Sequence, residues 1–228
     1  MTRYKITAPG QLDTTVVLPA SKSISNRALI MCALTNECAM PQNLSDCDDT
    51  EVILRALNDL PYEIDIKAAG TAMRFMTALL ASTPRGEHLL TGTDRMKHRP
   101  IKILVDALRQ LGADIDYAGE EGFPPLLIRG RQLEGGVLEI AGNMSSQYIS
   151  ALLMIGPVLR CGLELHLAGE IVSRPYIDLT LWMMREFGAD AEWTDVDTIT
   201  VKPQGYTPGN TSSRTTGVRP ATGMRWSP

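Results

Sequence analysis

A-S-K-S-I-S-N-R-A-L-I, residues Ala20–Ile30, joins an extended run (Thr14–Leu18) to a strongly helical one (Arg27–Leu34). Ser21, Ser23, Ser25 and Asn26 are residue types that cap helix N-termini. Lys22 and Arg27 set two cations beside backbone N–H groups that have no intrahelical partner. Free donors, the positive end of a helix dipole and two cations together describe an anion site, most simply one for phosphate. A capped helix carrying two solvated basic side chains reads the same way, so this stretch alone leaves both open.

Working outward, the stretch has two counterparts. Gly70–Ser82 (G-T-A-M-R-F-M-T-A-L-L-A-S) and Ser145–Gly156 (S-S-Q-Y-I-S-A-L-L-M-I-G) match Ser25–Thr35 as a small or polar start followed by a helix apolar nearly all round. Helices without a polar face are buried on every side. Each is followed by a more amphipathic helix: Asp48–Leu60, Arg99–Asp114 and Arg174–Asp190. The last two begin with R-P, placing proline in a favoured first turn, and close on G-A-D. There Gly112 and Gly188 suit the left-handed position that ends a helix.

Short strands are expected between the helices at Glu87–Thr91, Ile115–Tyr117, Leu126–Arg129, Gly136–Ile140, Leu163–Leu167, Ala191–Trp193 and Thr198–Val201. Pro61–Lys67 must hold both a turn and a strand. The sum is an α/β domain of three βαβαββ-type repeats with pseudo-threefold character, buried helices at its centre and sheets and outer helices around them. No G-x-G-x-x-G follows a strand, which argues against a doubly wound dinucleotide fold. The strand-like run Tyr4–Thr7 has no copy later in the chain. Residues 209–228 are rich in Thr, Ser, Gly, Arg and Pro, too poor in apolar side chains to order themselves, and read as an appended or frame-shifted end outside the fold.

Composition narrows the function. The chain has 228 residues, 44% of them hydrophobic, enough for one large core or two small ones. No run of eighteen apolar residues offers a membrane span. Met1-Thr2-Arg3-Tyr4-Lys5 lacks the apolar core of a signal peptide, and a cytoplasmic protein is expected. Net charge is −4, and −7 once the three arginines of residues 209–228 are set aside, which argues against general nucleic-acid binding. Cys32, Cys38, Cys47 and Cys161 form no C-x-x-C pair and are expected to be reduced thiols; His88, His98 and His166 are not paired at metal-ligand spacing, so no metal is expected.

If the repeats pack about a threefold axis, the N-termini of the three buried helices point the same way. Lys22, Ser23, Arg27, Gly70, Thr71, Ser145, Ser146 and Gln147 then share one surface suited to a small, phosphorylated, polyhydroxylated ligand. Arg99, Ser173, Arg174 and Tyr176 join as candidates from the R-P starts; Tyr176 either reaches the ligand or packs by its ring. Arg74, one turn into an apolar helix, is either buried and paired or reaches the pocket, pairing being the favoured reading. Arg95 and Lys97 read as solvated charges, Asp48 and Asp49 as caps of their own helix, and the eleven methionines as core filler.

The motifs P-A-S-K-S-I-S-N-R-A-L (Pro19–Leu29), A-G-T-A-M-R (Ala69–Arg74), R-M-K-H-R-P-I (Arg95–Ile101), S-S-Q-Y-I-S-A-L-L-M (Ser145–Met154) and V-S-R-P-Y-I-D-L-T (Val172–Thr180) closely resemble the 5-enolpyruvylshikimate-3-phosphate synthase family, over about Thr14 to Val201. The resemblance implies transfer of the enolpyruvyl group of phosphoenolpyruvate to the 5-hydroxyl of shikimate 3-phosphate, by addition and then elimination of phosphate, with neither metal nor organic cofactor. By position, Lys22, Ser23, Arg27, Ser145, Ser146, Gln147, Ser173 and Tyr176 would contact shikimate 3-phosphate. Lys22, Gly70, Arg99 and Gln147 would face phosphoenolpyruvate, with Lys22 the catalytic group as proton donor or charge stabiliser. Ala68 stands where the family commonly has Asn.

The resemblance also implies two lobes of three repeats each with the site between them, whereas this chain holds one. On that reading residues 1–18 are strands of the other lobe, 19–208 are the shikimate-3-phosphate-binding lobe, and the chain is a truncated synthase, inactive alone. The alternative is a non-catalytic single-lobe module that binds a phosphorylated small molecule or a partner lobe. Sensitivity to glyphosate is not readable from one lobe.

Overall fold

A computed structural model describes residues 19–35 and 38–208. The runs Tyr4–Thr7 and Thr14–Leu18 and the segment 209–228 fall outside the described residues, so the expectations made for them are not addressed.

The first buried helix, α1 (Lys22–Leu34), is followed by the amphipathic α2 (Asp48–Asp59). The second unit then runs β1 (Glu63–Asp65), α3 (Gly70–Ser82), β2 (Glu87–Thr91), a short α4 (Asp94–Lys97), α5 (Lys102–Gln110), β3 (Asp114–Tyr117) and β4 (Leu126–Arg129). The third runs β5 (Gly136–Ala141), α6 (Ser146–Ile155), a 3-10 turn, β6 (Leu163–Ala168), α7 (Arg174–Glu186), β7 (Ala191–Trp193) and β8 (Thr198–Val201). The two units close sheets of the same order, β1-β2-β4-β3 and β5-β6-β8-β7, each with one parallel pair at the crossover and antiparallel pairs after it. That identity of topology is the repeat expected from the helices. In the α1–α2 unit, the only strand-like pairing among the described residues is the bridge between Thr35 and Tyr206.

The three helices that lack a polar stripe lie where their composition requires. All thirteen residues of α3 are buried, as are Ser25–Cys32 of α1 and Tyr148–Ile155 of α6. α3 packs against α1 and α6, which also touch each other, so the axis of the domain is a bundle of three helices. α2, α5 and α7 bury one stripe each and face solvent with the other. Alternation along β4 and β8 puts Leu126, Ile128, Ile199 and Val201 on the core side.

The second outer helix is shorter than its sequence suggests. It starts at Lys102, and Pro100 precedes it instead of occupying its first turn. The cause is competition for the backbone: the Pro100 carbonyl accepts the Tyr148 hydroxyl at 2.7 Å, and the Ile101 amide donates to Gly122 O. At its other end Gly112, at φ +99°, stops the helix as expected, and Asp114 already belongs to β3. The thiols need a second correction. Cys32 and Cys38 are joined in a disulfide, with Cα atoms 5.4 Å apart, leaving Cys47 and Cys161 free.

Candidate active site at three helix N-termini

The N-termini of α1, α3 and α6 meet through side chains. Lys22, at the first position of α1, donates to Asp49 Oδ2 at 2.8 Å. Asp49 Oδ1 accepts the Thr71 backbone N–H, at the start of α3, at 3.2 Å. Thr71 Oγ1 accepts from Gln147 Nε2, at the start of α6, also at 3.2 Å. One chain of polar contacts therefore crosses all three units. It puts Lys22, Gly70, Ser145, Ser146 and Gln147 on one face, the convergence the repeat implies. Ser145 caps α6 through its hydroxyl, which accepts from the Gln147 N–H.

At α1 the expected capping does not occur. Ser21 occupies the cap position without a side-chain bond. Ser25 and Asn26 lie inside the helix, buried, and turn towards the segment leading into α2. The Ser25 hydroxyl accepts the Ser45 N–H at 2.9 Å and Asn26 Oδ1 accepts the Thr50 hydroxyl at 2.6 Å. No described side chain caps α1, so its first N–H groups retain the capacity to hold an anion.

Arg27 sits one turn deeper than the surface cation expected of it. It is 3% exposed and bonds Thr180 Oγ1 at 2.7 Å, Ser150 Oγ at 2.9 Å and the Ser23 carbonyl at 3.0 Å, with its guanidinium over the Phe75 ring. It thus ties α1 to α6 and α7 beneath the site. Burial pushes its pKa down to about 10, with partial compensation from Tyr176, so it is charged at neutral pH. Tyr176 is half exposed, and its carbonyl accepts the Thr180 hydroxyl, linking it to the Arg27 network. Ser173 lies at the start of α7, just before Arg174; no bond among the described residues ties its side chain to the others. Arg174 instead stacks on Trp193, 4.0 Å from the ring centroid.

The second cationic group gathers around Gly70. A side chain there would meet Arg74 Nη1 and Arg99 Cζ, both at 3.0 Å, so the glycine lets two guanidinium groups approach the start of α3. The pairing favoured for Arg74 is not with an acid. Its guanidinium donates to Gly70 O at 2.9 Å, approaches the Tyr148 hydroxyl and stacks on that ring, and its buried Nε has no partner among the described residues. Arg99 is exposed and lines a cavity of about 160 Å³ with Ala68, Arg95 and Met96. Desolvation, then the like charges of Arg74 and Arg95, lower its pKa, against the opposing influence of Tyr148 and Asp49. Lys97 is the solvated charge expected of it, paired with Asp94; Arg95 is exposed but faces the cavity.

Asp49 was the residue least visible in the sequence. D-D at a helix start reads as a pair of first-turn acids, and Asp48 fits that description. Asp49 instead turns inward and receives the N-terminus of another helix, α3. Ser150 and Thr180 were likewise hidden, since each lies more than a hundred residues from Arg27 in sequence.

Comparisons with known proteins bear on the family and the fold. The family model for EPSP synthase (3-phosphoshikimate 1-carboxyvinyltransferase) matches residues 6–67 and 59–214. A 3-phosphoshikimate 1-carboxyvinyltransferase from Bacteroides fragilis is 62% identical over 204 residues, covering 90% of this chain and 50% of that protein. One from Mannheimia haemolytica is 40% identical over 235 residues, covering 90% and 54% respectively. The fold matches that of an EPSP synthase from Acinetobacter baumannii with a TM-score of 0.73 at 23% identity, over 85% of this chain and 48% of that one. The chain spans about half the length of the curated relatives it matches.

Proposed function

The chain belongs to the EPSP synthase family, and from that premise we propose that residues 19–208 form its shikimate-3-phosphate-binding lobe. In this reading residues 1–18 and 209–228 are not assigned to that lobe. The observation that carries the reading is the chain of contacts from Lys22 through Asp49 and Thr71 to Gln147. It brings three helix N-termini to one cationic face, where the first N–H groups of α1 have no side-chain cap among the described residues.

The geometry supports a division of labour. The α1 N-terminus, Lys22 and Ser23 suit the phosphate of shikimate 3-phosphate, while Ser145, Ser146, Gln147, Ser173 and Tyr176 offer hydroxyls and an amide to the ring oxygens. Arg27, charged but buried, contributes from below through its own field and by fixing α6 and α7. Gly70, Arg99 and Gln147 suit the carboxylate and phosphate of phosphoenolpyruvate, with Lys22 within reach of both ligands. Addition of the shikimate hydroxyl across the enol double bond needs a proton at the methylene carbon and a donor for the departing phosphate. The Lys22 ammonium is the group on this face able to serve either need. Ala68 lines the Arg99 cavity with a methyl group where the family commonly carries Asn, so its side chain offers no polar contact there.

The reaction then requires groups from the remaining half of the enzyme. The test is reconstitution: phosphate release from the two substrates, measured for this chain alone and mixed with the remaining half of the Bacteroides fragilis relative. No release alone, release in the mixture and loss of it with Lys22→Ala are expected. A normal rate from this chain alone refutes the half-site reading. Saturable binding of shikimate 3-phosphate without turnover in any mixture favours the second reading, a non-catalytic binding module.

A further inference from the structure

We propose that Asp49 is a positioning residue of this site: its carboxylate holds the Lys22 ammonium over the N-terminus of α3 and so sets Lys22 for a phosphorylated ligand. The inference rests on the reading of the site given above and adds a residue to it.

The two oxygens of the carboxylate are used separately. Oδ2 takes Lys22 Nζ at 2.8 Å and Oδ1 takes the Thr71 N–H at 3.2 Å. The acid side chain is 13% exposed, the lysine side chain 48%. A long, half-exposed lysine stem samples many rotamers in water, and a bond to a fixed, buried partner removes most of them. Asp49 is itself fixed, because it lies on α2 and accepts from the backbone of α3, whose dipole favours negative charge at that end. The same carboxylate also offsets part of the repulsion that Arg99 receives from Arg74 and Arg95. Asp49 therefore stands between the cations of the two proposed subsites.

A role for Asp49 as a helix cap alone predicts different behaviour. Asn at this position keeps an oxygen for the Thr71 N–H and loses only the charge facing Lys22. The experiment is a double-mutant cycle on the full chain, using calorimetric titration with shikimate 3-phosphate for the parent, Asp49→Asn, Lys22→Ala and the double variant. Thermal unfolding of each variant verifies the fold. Asp49→Asn is expected to weaken binding about tenfold, and to cost nothing further once Lys22 is Ala.

Unchanged or tighter binding in Asp49→Asn, with Lys22→Ala still weakened, overturns the inference and leaves the site reading standing. A full Asp49→Asn loss that persists in the Lys22→Ala background also overturns it, because the residue then acts through the fold. Lys22→Ala binding like the parent, or no saturable binding by the parent, overturns both, since the inference needs Lys22 set for a phosphate in this chain.

Discussion

Arg27 shows how one residue serves the fold and the site together. Its guanidinium reaches hydroxyls on α6 and α7 and a carbonyl of its own helix, and covers the Phe75 ring. No acid neutralises it within that network, so its charge is held by dipoles alone. Truncation leaves Ser150 without its buried donor and opens a void against Phe75. Arg27→Ala is expected to lose about 3 kcal/mol of stability, visible as a fall in the urea midpoint. A variant as stable as the parent would contradict the network. Substrate affinity lost in that variant therefore has two causes, whereas the solvent-facing Lys22 separates binding from folding. The sequence singled out Arg27 as a cation near the start of α1. Its depth was not legible, because the partners that bury it come from two distant helices.

Elements carry most of what was legible. The eight strands and six helices expected between Arg27 and Val201 are all present, because apolar periodicity and positive-φ glycines such as Gly112 and Gly188 act locally. The failures are places where a distant group competes for the backbone. The α5 start is displaced by Tyr148 and Gly122, and the α1 cap is replaced by bonds towards α2. At the start of α3, the missing side chain of Gly70 is what admits Arg99 and Arg74. Gly70→Ala is therefore expected to displace the Arg99 guanidinium, since its flexible end can move while the helix backbone cannot. The expected outcome is little change in thermal midpoint and a severalfold weaker binding of phosphoenolpyruvate in the reconstituted enzyme, about 1 kcal/mol. Unaltered phosphoenolpyruvate binding would show that Arg99 does not face that ligand.

At the scale of the molecule, among the described residues, two four-stranded units flank a core centred on α3, while the α1–α2 unit is held chiefly by helix contacts and the Thr35–Tyr206 bridge. Hydrogen exchange should accordingly be slowest in α3 and α6 and faster in α2; equal protection throughout would contradict that ranking. The same architecture points the starts of α1, α3 and α6 at one face, and the account rests on that face holding a phosphorylated ligand without help from elsewhere. Calorimetric titration of the chain with shikimate 3-phosphate, against shikimate itself, tests this most directly. The account predicts saturable heats for the phosphorylated ligand, none for shikimate, and measurably weaker binding in Lys22→Ala. Flat heats for both ligands, or equal binding of both, would contradict a preformed phosphate site on this lobe.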